Sequence, residues 1–230
     1  MEDVGDQPEA GPGARLQLHL TQKVAVLLGL AVGICVPYFS LQYVDWFPAH
    51  TVPALGIDDA ISFSPNWVWV YLSIAVLVPA APLMIPTRAG LAHYSRGLAV
   101  MCTIAFVCFL LFPVAGPRPA SVPEHAMYQW LVGVDRPLNS MPSLHAALVV
   151  YSTLCLAQHG WAGLRGISRR IVAASAIGWA GAILFATLAT KQHWFLDLPA
   201  GALIAVVADR LAHLHEAFET SGPGSESPGP

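Results

Sequence analysis

The chain has 230 residues, of which 55% are hydrophobic and 11% charged, against about a quarter charged in a typical soluble domain. Mean hydropathy is +0.57, so there is ample apolar area to bury and the body of the chain is not intrinsically disordered. Lys+Arg is 11 against Asp+Glu 14, with no basic stripe for nucleic acid. Cys35, Cys102, Cys108 and Cys155 all sit inside apolar runs without ligand spacing, which excludes a secreted disulfide scaffold.

What remains is an all-α polytopic membrane protein, expected as six transmembrane helices in one bundle. A bilayer-crossing helix takes about 20 mostly apolar residues, and six stretches fit: roughly 24–44, 67–86, 98–115, 143–159, 171–190 and 195–212. The runs are continuous, whereas a barrel would alternate with period two. Pro79 and Pro82 predict a kink near the end of the second span. The membrane domain is expected over 15–213, flanked by disordered tails at 1–14 and 214–230, rich in Gly, Pro, Ser and acids. Glu2, Asp3, Asp6 and Glu9 precede the first base, so the start is not read as a signal peptide and the first span is expected to stay as an anchor. Segment 123–134 is mildly amphipathic and reads as a short interfacial helix or a plain connector.

Positive residues orient such a chain. With the N-terminus in the cytoplasm, Arg15, Lys23, Arg88, Arg96, Arg165, Arg169, Arg170 and Arg210 all lie inside, and only Arg118, Arg136 and Lys191 lie outside. These three exceptions flank the most polar segments of the chain. The simple topology suits a bacterial plasma membrane, with the termini cytoplasmic and the site on the outer face. Trp46, Trp67, Trp69, Trp130 and Trp194 fall near outer boundaries, as an aromatic belt does.

Three segments converge on that face: Gly116-Pro117-Arg118-Pro119, then 139–146 (Asn-Ser-Met-Pro-Ser-Leu-His-Ala), then 190–197 (Thr-Lys-Gln-His-Trp-Phe-Leu-Asp). His193 and Asp197 are four apart and would share a helix face. A carboxylate beside an imidazole fixes its tautomer and leaves the other nitrogen free to attack. Pro142 suits a helix start, where free N–H groups and the hydroxyl of Ser143 would receive an anion. His145 would hand a proton to a leaving oxygen. Arg118 offers a planar fork for phosphate oxygens, and Lys191 a second fixed charge. Taken singly, these read equally as helix caps, an interfacial histidine and a snorkelling arginine. Together they form a set able to transfer a phosphoryl group through histidine, with no metal and no cofactor expected. His50 and His125 read as loop residues. His19, His93, His159, His213 and His215 fall on the other side, and His213 and His215, two apart, have a poor metal spacing and read as interfacial.

The Pro-Ser-Leu-His-Ala run and the His193 to Asp197 run resemble the second and third signatures of the type-2 phosphatidic acid phosphatase superfamily, whose fold is shared with vanadium haloperoxidases; the resemblance covers residues 98–212. It implies that His193 is the nucleophile, that Asp197 orients it, that His145 protonates the leaving group, and that Ser143 and Arg118 bind phosphate. Leu111 stands where the first signature has a lysine, and Thr187 where the third has an arginine; Lys191 and Arg136 stand as replacements for the lost charges. Leu144, in place of the usual glycine, is similar to the inositol-phosphoceramide synthases of the aureobasidin-resistance type. The expected activity is a lipid phosphate phosphatase cleaving a phosphomonoester or pyrophosphate, with transfer to a lipid or inositol hydroxyl as the alternative. A non-catalytic lipid-binding or transport protein of the same fold is the rival from another class. The partners implied are a lipid phosphate and the membrane, and no nucleic acid.

Overall fold

The computed structural model of the chain describes residues 19–44, 46–161 and 166–220, with side chains through His215. The expected N-terminal tail at 1–14 lies outside the described residues, as do 221–230 at the other end. Helix α1 spans Leu20–Leu41. After a loop holding β1 (His50–Thr51) and the short α2 (Gly56–Ala60), a 3-10 turn at Pro65–Trp67 leads into α3 (Val68–Leu72) and α4 (Ile74–Met84). Then come α5 (Arg88–Leu111), β2 (Val114–Ala115), α6 (Ala126–Val134), α7 (Leu144–Cys155) continued by a π turn at Leu156–Gly160, α8 (Gly166–Ala189) and α9 (Asp197–Thr220). Helix α6 lies where the amphipathic segment predicts a short helix. Helix α9 runs past 213, where the domain was expected to end.

Among the described residues, four segments are long and apolar enough to cross a membrane: Leu20–Leu41, Pro65–Met84, Arg88–Leu111 and Gly166–Ala189. The fourth and sixth expected spans do not meet that measure. Helix α7 has 12 residues before its π turn, and α9 carries Asp197, Asp209 and Arg210. Helix α7 lies inside the bundle, whereas α9 packs one face against it and leaves Leu203, Val206 and Leu211 exposed. Helix α7 buries Ala146, Ala147, Val149, Tyr151 and Cys155 against α9, which buries Gly201, Ala205, Ala208 and Ala212. A Cβ on Gly201 would collide with the Ser143 carbonyl, so only glycine permits this approach of the two motif-bearing helices. Outward faces are apolar too: Leu28, Val32 and Val36 form one exposed row on α1, a surface suited to lipid rather than water.

The second span is made of two helices, α3 and α4. It breaks at Ser73, whose hydroxyl donates to the Val70 carbonyl (2.6 Å) and accepts from Trp179 Nε1 (2.8 Å). Pro79 and Pro82 lie inside α4. Pro82 has no N–H to give the carbonyl one turn back, and Tyr94 on α5 donates its hydroxyl to that carbonyl, on Val78, at 3.2 Å. Lys23 likewise reaches Leu83 O at the end of α4 (2.6 Å), one of the orphan carbonyls of a helix C-terminus. Helix α5 starts where Thr87 caps Gly90 N–H (3.1 Å). It buries Leu91, Tyr94, Leu98, Met101, Ala105 and Phe109 along one face, the 3–4 spacing of a packed helix.

Candidate active site

The site forms where the C-terminal end of α5, the N-terminus of α7 and the turn before α9 meet. Strands β1 and β2 pair in parallel, His50 with Val114 and Thr51 with Ala115. Val114 also bridges to Asn139, and Ser140 N–H donates to Val114 O (3.1 Å). Gly116 N–H donates to Pro137 O (2.7 Å). A Cβ on Gly116 would crowd Gln192 O and Ser140 Oγ, so the three polar segments are knitted together by backbone at this point.

His193 is buried, and its two ring nitrogens have different surroundings. Nδ1 lies 3.1 Å from Ser140 O and 3.3 Å from Asp197 Oδ2. Both are acceptors, so Nδ1 carries the proton. Nε2 is left with a lone pair, 3.2 Å from the Ser143 hydroxyl. The sequence predicts that His193 and Asp197 meet as i and i+4 on a helix; they meet across a turn. Helix α8 ends at Ala189, and Lys191 takes a left-handed φ of 52°. Gln192 and His193 N–H groups both return to Thr187 O (2.9 and 3.3 Å). Asp197 then opens α9, and its Oδ2 accepts from Trp194 N–H at 2.9 Å and from the Ser140 hydroxyl. Asp197 therefore fixes the turn as well as the imidazole.

Ser143 is the N-cap of α7, accepting from Ala146 N–H (3.1 Å), and its own N–H donates to Asp197 O (3.1 Å). The first-turn amides of Leu144 and His145 have no intrahelical acceptor, by helix geometry. The His145 ring stacks on Tyr71 (centroids 4.4 Å apart, 28° between planes), and its Nδ1 lies 3.4 Å from the Tyr71 hydroxyl. The His145 and His193 rings are 5.8 Å apart, centre to centre.

Arg118 is half-buried beside them, donating to Asp135 O (2.9 Å), Pro117 O (3.1 Å) and Lys191 O (3.3 Å). It lines one small cavity with Tyr38, Asp135, Arg136, Ser140, Gln192 and His193, and a larger outer one with Asp58, Phe63, Pro119, Lys191 and Trp194. The structure thus brings His193, Asp197, Ser143, His145 and Arg118 together. Arg136 is at the rim, exposed, its guanidinium 4.1 Å over the Tyr43 ring. Lys191 is directed elsewhere: its ammonium donates to Asp58 O (2.6 Å) and Ile61 O (2.7 Å), and so staples the 55–61 loop to the turn. Neither departure position supplies charge. Leu111 is exposed on α5, and Thr187 is buried with its hydroxyl on Leu184 O (2.7 Å).

Three residues of the site escape a reading by motif. Asp58 accepts from Phe195 N–H (2.7 Å) and Leu55 N–H (2.8 Å). Asp135 is buried, with its carboxylate accepting from Gln42 Nε2 (2.8 Å), the Tyr38 hydroxyl (2.9 Å) and, more distantly, the Tyr71 hydroxyl (3.5 Å). Tyr71 links Asp135 to His145. An acid in an apolar loop is the signal that would have pointed to Asp58 and Asp135; Tyr71 gives none, since its partners are 64 and 74 residues away. His125 caps α6 through Nδ1 and Tyr128 N–H (3.2 Å). Burial pushes the Tyr128 phenol above its ordinary pKa, which keeps it a donor to Thr190 O at 2.9 Å.

The sequence profile of the PAP2 superfamily matches residues 57–211, a stretch that begins in the 55–61 loop and contains the three polar segments and both histidines. The chain belongs to the PAP2 superfamily. No curated protein and no solved structure was found to match it. PAP2 membership, with the four long apolar helices, makes this an integral membrane protein of a superfamily whose members are generally phosphatase-type hydrolases. The chemistry is that of phosphatases or phosphotransferases on lipid-like phosphates.

Proposed function

We propose that this PAP2 protein hydrolyses a phosphomonoester or pyrophosphate on a lipid through a phosphohistidine on His193. The observation that carries the reading is the asymmetry of the His193 ring: Nδ1 faces two acceptors, while Nε2 faces a hydroxyl beside the α7 N-terminus. In the first step Nε2 attacks phosphorus and the bond to the leaving oxygen breaks. His145 gives that oxygen its proton. Arg118, Ser143 and the first-turn amides of α7 take the charge growing on the other phosphoryl oxygens. In the second step water attacks phosphorus, His145 takes a proton from the water, and the N–P bond breaks to release phosphate. Each step needs only side chains, backbone amides and water. Arg136, at the rim, is the second base for the substrate's headgroup, and Lys191 acts by holding the turn.

A groove of about 590 Å³ between α1 and α5 supports a lipid as substrate. Gly29, Leu30, Gly33, Ile34, Pro37, Leu98 and Phe106 line it, and Tyr38, next to Pro37, lines the cavity of His193. An apolar tail in the groove would lead to a headgroup at Arg118. In this reading the bundle spans the bilayer six times, with α7 shielded inside it and α9 packed against α7, and the site opens on the outer face of a plasma membrane.

A second reading is transfer to a hydroxyl acceptor, as in inositol-phosphoceramide synthases. Leu144, and the uncharged Leu111 and Thr187, favour it. The test is to give the purified protein a lipid phosphate as sole substrate and measure inorganic phosphate. Sustained release supports hydrolysis. Release that begins only when inositol or a ceramide-like alcohol is added overturns it in favour of transfer.

A further inference from the structure

A second cluster of chemically able side chains lies at the other end of α9. Asp209 is twelve residues beyond Asp197, about 18 Å along the helix axis. His93 from α5 and Asp209 are buried, and His93 Nε2 lies 3.1 Å from Asp209 Oδ1. His213, one turn further along α9, brings its Nε2 to 3.9 Å from Asp209 Oδ2. One ligand atom from each of the three lies within 4.8 Å of the others. The His93 and His213 rings are 4.2 Å apart, and the His159 ring is 5.3 Å from His93. Gln158 donates its amide to both Asp209 oxygens, at 3.3 and 3.2 Å.

We propose that His93, Asp209 and His213 form a divalent transition-metal site, of the kind that takes zinc. Imidazole nitrogen and carboxylate oxygen are its preferred donors, with bonds of about 2.0–2.2 Å. Around a tetrahedral ion such bonds put donors roughly 3.4 Å apart, and the two imidazoles approach the carboxylate at about that spacing, His93 Nε2 3.1 Å from one Asp209 oxygen and His213 Nε2 3.9 Å from the other. An interhelical hydrogen bond needs one histidine on Asp209; two imidazoles converge on it here, with a third ring adjacent. Gln158 holds the carboxylate in place, as outer hydrogen bonds do for metal ligands. The pattern escapes a sequence reading because the pair that matters is Asp209 and His213, four apart on one helix face, completed by His93 from 116 residues earlier. The ion would clamp α5 to α9 and fix the lengthwise position of the helix whose other end carries Asp197.

The test uses the full chain, purified in detergent with an affinity tag free of histidine, and titrated with cobalt(II) and zinc. The expected result is one cobalt per chain with the strong visible absorption of a tetrahedral site, competed by zinc, and a higher melting temperature with zinc. His213 is 44% exposed at its side chain, so His213→Ala is expected to fold; it should weaken binding by at least about tenfold and lose the thermal shift. His193→Ala should bind as wild type does. Failure to saturate at one cobalt, an octahedral spectrum, binding untouched by His213→Ala, or binding lost in His193→Ala would each overturn the proposal.

Discussion

At the residue scale the two histidines differ in what holds them. His193 is fixed by Asp197 and Ser140, whereas His145 rests on Tyr71. His145→Ala should therefore lose activity on an alkyl phosphate by about 100-fold or more, the scale of general acid catalysis, and lose much less on an activated aryl phosphate, whose oxygen leaves without a proton. Steady-state kinetics on the two substrates checks this; an equal loss on both contradicts the role. Tyr71→Phe removes one hydroxyl between Asp135 and His145 and keeps the stacked ring. It should lower kcat on the alkyl substrate by about tenfold, the value of one good hydrogen bond, with KM little changed. Arg118→Ala should cost about 2–4 kcal/mol of transition-state stabilisation, measured as kcat/KM. Arg118→Lys should recover little, because a point charge cannot serve three carbonyls and a phosphate at once.

The same residues show what a sequence can disclose. His193, Asp197, His145, Ser143 and Arg118 are legible because they sit in short segments, and local spacing survives folding. The spacing that marks Lys191 as a fixed charge does not disclose that its ammonium also holds the 55–61 loop, 130 residues away along the chain. Tyr71 is invisible because its partners, Asp135 and His145, are 64 and 74 residues away.

At the element scale, the approach of α9 to α7 depends on Gly201. Gly201→Ala should lower stability by about 1–3 kcal/mol, as overpacking does, and reduce activity further because the Ser143 carbonyl must move. A denaturation curve set beside kcat separates the two effects. The groove between α1 and α5 gives a prediction of opposite kind. A Cβ on Gly33 would meet nothing within 4 Å, so Gly33→Leu should fold normally and occupy the groove. KM for a long-chain lipid phosphate should rise by about tenfold, the cost of excluding about two methylenes, while a soluble aryl phosphate keeps its KM. An equal effect on both substrates would place the lipid tail elsewhere. Hydropathy marks all six expected spans, those of α7 and α9 among them, and amphipathicity marks α6. Helix α7 is buried along most of its 12 residues and α9 carries Asp197, Asp209 and Arg210, so neither has the length and apolarity that mark a bilayer-crossing helix.

At the scale of the whole molecule, the proposed topology puts eight bases on one side, and the remaining three, Arg118, Arg136 and Lys191, fall in or beside the polar segments of the candidate site. That division predicts sidedness. In intact cells, Pro123→Cys should react with an impermeant thiol reagent and Gly166→Cys should not; the reverse pattern would put the chemistry on the cytoplasmic face. Polarity runs along α9 as well, with Asp197 at one end beside His193 and Asp209 at the other beside His93 and His213. The proposed phosphoryl transfer uses only the first end. The most direct measurement is to quench the enzyme during turnover of a phosphorus-labelled lipid phosphate and locate the label. The account predicts an acid-labile, base-stable phosphoryl group on His193, and no label in His193→Ala. Label on His145, or undiminished turnover by His193→Ala, would contradict it.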